Sequence, residues 1–79
     1  MKVTVLFFGA TAAAVGTNTV ELNLDDRADT GQVFDKVLET FPELSSHRLL
    51  FAVNQEYASS NTPLKAGDEL AVFTAVSGG

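Results

Sequence analysis

An α+β fold is predicted for this 79-residue chain: one main amphipathic helix packed on one face of a mixed sheet of four to five strands. Three observations predict it. The first and last strand-like segments, "KVTVLFF" (Lys2 to Phe8) and "ELAVFTA" (Glu69 to Ala75), are the most apolar in the chain, as central neighbours in a sheet would be. Val33, Phe34, Val37, Leu38 and Phe41 recur at helical spacing and form a single apolar stripe. The length allows one core only, so that stripe has no surface to bury against except a sheet face.

The elements follow in order. "KVTVLFF" is rich in β-branched and aromatic residues and reads as a strand. "GATAAAVGT" is alanine-rich enough for a helical turn, yet Gly9 and Gly16 bracket it, and it reads as a connection. "NTVELNL", Asn18 to Leu24, alternates Val20, Leu22 and Leu24 with polar Glu21 and Asn23, the pattern of a half-buried strand. Asp29 or Thr30 then caps the helix, Gln32 stands at capping-box spacing from Asp29, and Pro42 stops the helix near Phe41. Leu49 to Val53 is a third strand, "NQE" a tight turn, and Tyr57-Ala58 the start of a short return strand. In "TPLKAGDEL", Pro63 fixes one φ and Gly67 supplies a left-handed position before the last strand. The order β-β-α-β-β-β describes a roll of the β-grasp type. Parallel pairing of the first and last strands is possible because the intervening chain supplies a long crossover.

Composition removes several function classes. Without cysteine there is no disulfide, thiolate metal site, iron–sulfur cluster or thiol nucleophile, which excludes a β-grasp ferredoxin. A single histidine, His47, leaves no basis for a histidine metal centre or a triad, and no bound metal or cofactor is expected. A net charge of −5 repels phosphate backbones, so the expected partner is a basic protein surface and not nucleic acid. Lys2 with the following apolar run imitates a signal peptide only faintly, and no stretch approaches the ~20 apolar residues of a membrane span. His47 reads as an exposed loop residue, Asp25, Asp26 and Asp29 as loop and helix-start carboxylates, and Asp68-Glu69 as negative charge available to a basic partner.

Strand alternation turns the pattern into a functional clue. If Leu70 and Val72 face the helix, Ala71, Phe73 and Ala75 face away; Val3, Val5 and Phe7 share one face, Leu6 and Phe8 the other. Apolar groups therefore remain on the face without a helix, and Tyr57 can join them. A contiguous patch with Phe8 and Phe73 marks a partner surface; full coverage of both by this chain would remove that reading. The chain then ends in "VSGG", expected as a tail over residues 76–79 behind a domain of residues 1–75. Extended, the tail would reach about 13–14 Å. Gly78 and Gly79 lack a Cβ, so they suit a channel in another protein, where the only reactive group to present is the terminal carboxylate. Activated by ATP as an acyl-adenylate, that carboxylate can be attacked by sulfide or a persulfide to give a thiocarboxylate.

"FAVNQEY…TPLKAGDELAVFTAVSGG" together with "VTVLFF" and its long following loop resembles the small, sulfur-carrier subunit of molybdopterin synthase, among the MoaD/ThiS-like ubiquitin-like proteins. The resemblance spans nearly the whole chain and is most specific at Asn54-Gln55-Glu56-Tyr57, Gly67-Asp68-Glu69 and Val76-Ser77-Gly78-Gly79. It implies a ubiquitin-like β-grasp. It further implies a cytoplasmic subunit that is not an enzyme by itself. The resemblance implies that an E1-like enzyme uses ATP to adenylate Gly79 and that a sulfur donor protein supplies the sulfur. It likewise implies that the large synthase subunit, in a heterotetramer, admits the tail to convert cyclic pyranopterin monophosphate to molybdopterin. By the same resemblance Gly79 bears the sulfur, Val76, Ser77 and Gly78 thread the channel, and Phe8, Tyr57 and Phe73 sit on the subunit interface. Two departures stand out: Thr74-Ala75 replace a frequent pair of prolines, and Ala12 to Ala14 replace a frequent Arg-Glu pair. A carrier for thiamine or another sulfur metabolite, and a ubiquitin-like modifier joined to lysines through Gly79, need the same tail and remain open.

Overall fold

The computed structural model describes residues 1–58 and 61–74. Five strands form one mixed sheet: β1 (Lys2–Phe7), β2 (Thr19–Asn23), β3 (Leu49–Val53), β4 (Glu56–Tyr57) and β5 (Glu69–Thr74), in the order β2-β1-β5-β3-β4. The two most apolar strands are adjacent near the centre and parallel, with Val5 opposite Leu70 and Phe7 opposite Val72. The other pairings are antiparallel. Ala75 and the expected boundary between residues 75 and 76 lie outside the described residues.

The main helix, α2 (Thr30–Thr40), is capped by Asp29, whose Oδ1 accepts from the Gln32 N–H at 3.0 Å. It ends where Pro42 disfavours helical geometry at Phe41, as expected. Val33 and Val37 are fully buried from this helix. They meet Val3, Val5 and Phe7 of β1, Leu70 and Val72 of β5 and Phe51 of β3 in one core. Ring edges lock the layers together: Phe34 meets Phe51 at 5.3 Å and Phe7 meets Phe41 at 5.6 Å, both near-perpendicular.

Two segments differ from the sequence reading. "GATAAAVGT" is not a simple connection, because Ala10–Val15 form a helix, α1, closed by Gly16 in the left-handed region at φ 78°. Six residues are too few to hold a helix by themselves; this one is held by packing Ala12, Ala14 and Val15 against the core. Thr11, completely buried, pins it. The Thr11 Oγ1 accepts from the Phe8 N–H at 3.1 Å and lies 2.7 Å from the Phe8 carbonyl and 2.9 Å from that of Val72, with one proton to donate. After α2, Pro42–Ser46 form a 3₁₀ turn that carries fully buried Leu44 into the core. The element order is therefore β-α-β-α-β-β-β, with a 3₁₀ turn before β3.

The β3–β4 hairpin has a two-residue loop, Asn54 and Gln55, both at positive φ (48° and 73°), the geometry that matches strand twist. Asn54 also ties this hairpin to the start of β5. Its Nδ2 donates to Asp68 Oδ1 at 3.0 Å, and its Oδ1 accepts from the Glu69 N–H at 3.0 Å. Gly67, at φ 86°, takes the left-handed position expected of it.

Candidate functional site

One sheet face carries α2. The opposite face is set by the register. Leu6, Ala71, Ala52 and Tyr57 stand in one row across β1, β5, β3 and β4, and Phe73 stands opposite Leu50 in the next. Paired residues share a face, and Val5, Phe7, Leu70 and Val72 point to the core, so all six of these side chains point away from α2. The Tyr57 and Phe73 rings pack at 5.8 Å, tilted 57°. Phe8 follows the last residue of β1, and its N–H continues the ladder to the Val72 carbonyl at 3.2 Å. It is 51% exposed and Tyr57 is 79% exposed, while Phe73, Leu50 and Leu6 are half-buried. Beside Phe8 a hollow is lined by Leu6, Ala12, Asn18 and Thr19.

The result is an apolar patch about three strand spacings wide, roughly 14 Å, placed toward the C-terminal end of β5. A face this apolar on two central strands gains most when another protein covers it. Of the expected surface residues, Tyr57 and Phe73 are in contact and Phe8 extends β1 beside β5, and Phe8 and Phe73 are not both covered by their own chain. Val76, Ser77, Gly78 and Gly79, the residues expected to thread and react, lie outside the described residues.

Leu50, Ala52, Leu6 and Ala71 belong to the same patch, and the sequence reading did not collect Leu50 and Ala52. Only the β3–β5 register assigns them to this face. Asp68 and Glu69 part company: both Asp68 carboxylate oxygens are occupied inside the chain, by Asn54 Nδ2 at 3.0 Å and the Lys65 N–H at 2.8 Å. Glu69 is exposed on the patch side of β5. His47 is half-buried at the end of the 3₁₀ turn, where its N–H bonds the Leu44 carbonyl, and is not the fully exposed loop residue expected. Asp29 serves as helix cap and Asp26 faces the N-terminal ammonium at 3.6 Å. Among the described residues no cluster of three His, Asp or Glu side chains is arranged to hold a metal ion. No helix there is long and apolar enough to cross a membrane.

Comparison with known proteins agrees with this architecture. The chain is 38% identical over 82 residues to the molybdopterin synthase sulfur carrier subunit of Mycobacterium tuberculosis, covering 100% of this chain and 99% of that protein. Its fold superposes on the crystal structure of SAMP1 from Haloferax volcanii with a TM-score of 0.89 at 29% identity, over the full length of both chains. A chain in the complex of subunits 1 and 2 of molybdopterin-converting factor from Helicobacter pylori also matches over both full lengths, with a TM-score of 0.69 at 26% identity. The fold is the ubiquitin-like β-grasp these proteins share. With a family model matching residues 5–79 and relatives similar from end to end, the chain belongs to the ThiS family.

Proposed function

We propose that this chain is the sulfur carrier of molybdenum cofactor biosynthesis, the small, non-catalytic subunit of a molybdopterin synthase. The observation that carries the reading is the apolar face at the C-terminal end of β5, only a few residues before the Val76-Ser77-Gly78-Gly79 terminus. A protein that covers Phe8, Tyr57 and Phe73 is thereby positioned to receive the tail. The relative from M. tuberculosis bears the name of this carrier, and the H. pylori relative is seen in complex with a second subunit.

The chemistry follows from what the chain lacks. With no cysteine the chain has no thiol of its own to carry sulfur, so the C-terminal carboxylate of Gly79 serves as the acyl group that accepts it. An E1-like enzyme binds ATP, the Gly79 carboxylate attacks the α-phosphate, and pyrophosphate leaves. Sulfide, or the terminal sulfur of a persulfide whose S–S bond a thiol then cleaves, displaces AMP and leaves a thiocarboxylate. Docked on the large subunit in a heterotetramer, the tail brings that sulfur to cyclic pyranopterin monophosphate. The small Val76-Ser77-Gly78 segment passes where a bulkier one would not. ATP is used by the partner, no cofactor stays on the carrier, and the cycle runs in the cytoplasm.

Incubation with the E1-like enzyme, ATP and a sulfur donor is expected to raise the intact mass by the exchange of one oxygen for sulfur at Gly79. Deletion of Gly79 is expected to leave the fold intact and abolish sulfur transfer. Transfer by the deleted chain in a reconstituted assay would end the carrier reading. The likeness to SAMP1, a small archaeal modifier protein, favours a second use of the same carboxylate, an isopeptide bond to lysines of other proteins. Gly79-linked lysine adducts on denaturing gels, dependent on ATP and the activating enzyme, distinguish that use.

A further inference from the structure

Beyond its apolar end, the open face has a charged end. Across the three strands β2, β1 and β5 the register puts Glu21, Thr4 and Glu69 in one row, on the same side as Leu6 and Ala71. Both glutamates are exposed, and among the described residues neither makes an ion pair. With strands ~4.8 Å apart, their Cα atoms stand about 10 Å from each other across the short side chain of Thr4. Lys2 shares this face two residues before Thr4; it is unpaired among the described residues and offsets at most one of the two charges. Asp68 does not add to the row, because its carboxylate is turned into the clasp with Asn54 and Lys65.

The next row along the strands is Leu6 and Ala71, about 7 Å away. A protein that covers the apolar patch therefore comes down over Thr4 as well and removes water from both carboxylates. Left without a counter-charge, two like charges losing solvent oppose the contact. A cation entering over the small Thr4 reverses the sign, because it can approach both carboxylates at once. The overall charge of −5 argues against a second copy of this chain as occupant and favours a basic one.

We propose that the protein receiving the tail seats a lysine or arginine side chain over Thr4, between Glu21 and Glu69, and that this pair selects the partner and speeds its docking. The inference rests on the carrier reading and adds to it the charge of the partner's surface. Association with the purified large synthase subunit of the same organism, followed by stopped flow from about 25 to 300 mM salt, tests it. The Glu21→Gln/Glu69→Gln variant is expected to associate at least about threefold more slowly at low salt, with a shallower salt dependence and a nearly unchanged dissociation rate. Asp35→Asn/Glu39→Gln removes the same charge from exposed positions on α2 and is the control, expected to change the rate far less. An equal effect of the two double variants, or no effect of the first, overturns the inference while the carrier reading stands. Failure of the wild-type chain to associate overturns both, and a stable dimer of the chain alone through this face overturns the inference.

Discussion

Thr11 shows how one polar side chain can hold a functional surface in place. Its hydroxyl, fully buried, bridges the start of α1 to the Phe8 backbone and to the Val72 carbonyl 61 residues away. Phe8 is thus fixed at the corner of the open face by a residue that never reaches that face. Thr11→Val keeps the shape and removes the hydrogen bonds. Because the neighbouring backbone groups retain each other as partners, the loss is expected near the low end, about 1 kcal/mol, or a melting point lower by ~4–8 °C. An unchanged melting point would deny the clasp. Nothing in "ATAAAV" distinguishes Thr11 from a solvent-facing helix residue, since its partner on β5 is adjacent only after the sheet has formed. Asp29 was readable because its partner, the Gln32 N–H, is three residues away.

At the scale of elements, the strands and α2 follow their periodicity, and the departures are the two shortest helical pieces. Pro42 correctly ends α2, but the chain does not then run loosely to β3. It winds through a 3₁₀ turn that buries Leu44 beneath α1 and α2. A single leucine between Glu43 and Ser45 carries no period, so its burial was not legible. Leu44→Ala is expected to cost about 2–5 kcal/mol, a large part of the margin available to a domain this small. The midpoint of urea unfolding measures it; a shift within error would show that the turn contributes little to the core.

For the whole molecule, the separation of two faces on one strand is the decisive feature. Val72 and Phe73 are neighbours on β5 and serve different ends: Val72 is fully buried in the core, and Phe73 packs on Tyr57 on the open side. Val72→Ala is expected to lower stability by about 1.5–3 kcal/mol and leave the folded fraction able to bind. Phe73→Ala is expected to do the reverse, weakening large-subunit binding by ~2 kcal/mol or more, about 30-fold, with a smaller change in unfolding. Unfolding curves and binding isotherms on the two variants check this. Equal losses of affinity would refute the division of labour.

Alternation along "KVTVLF" and "ELAVFT" required two apolar faces, and the stripe from Val33 to Phe41 supplied a cover for only one. That surplus, the absence of cysteine and the Gly-Gly end are properties of the chain read linearly, and they were sufficient for the fold class and for the expectation of a protein partner. The neighbours across the sheet depended on tertiary structure: Leu50 beside Phe73, Glu21 in line with Glu69, and Asp68 withdrawn into the Asn54 clasp. Periodicity is a local property that says which side of a strand a residue takes. Which residue stands beside it is fixed by register, and register is settled only when distant strands pair over a common core.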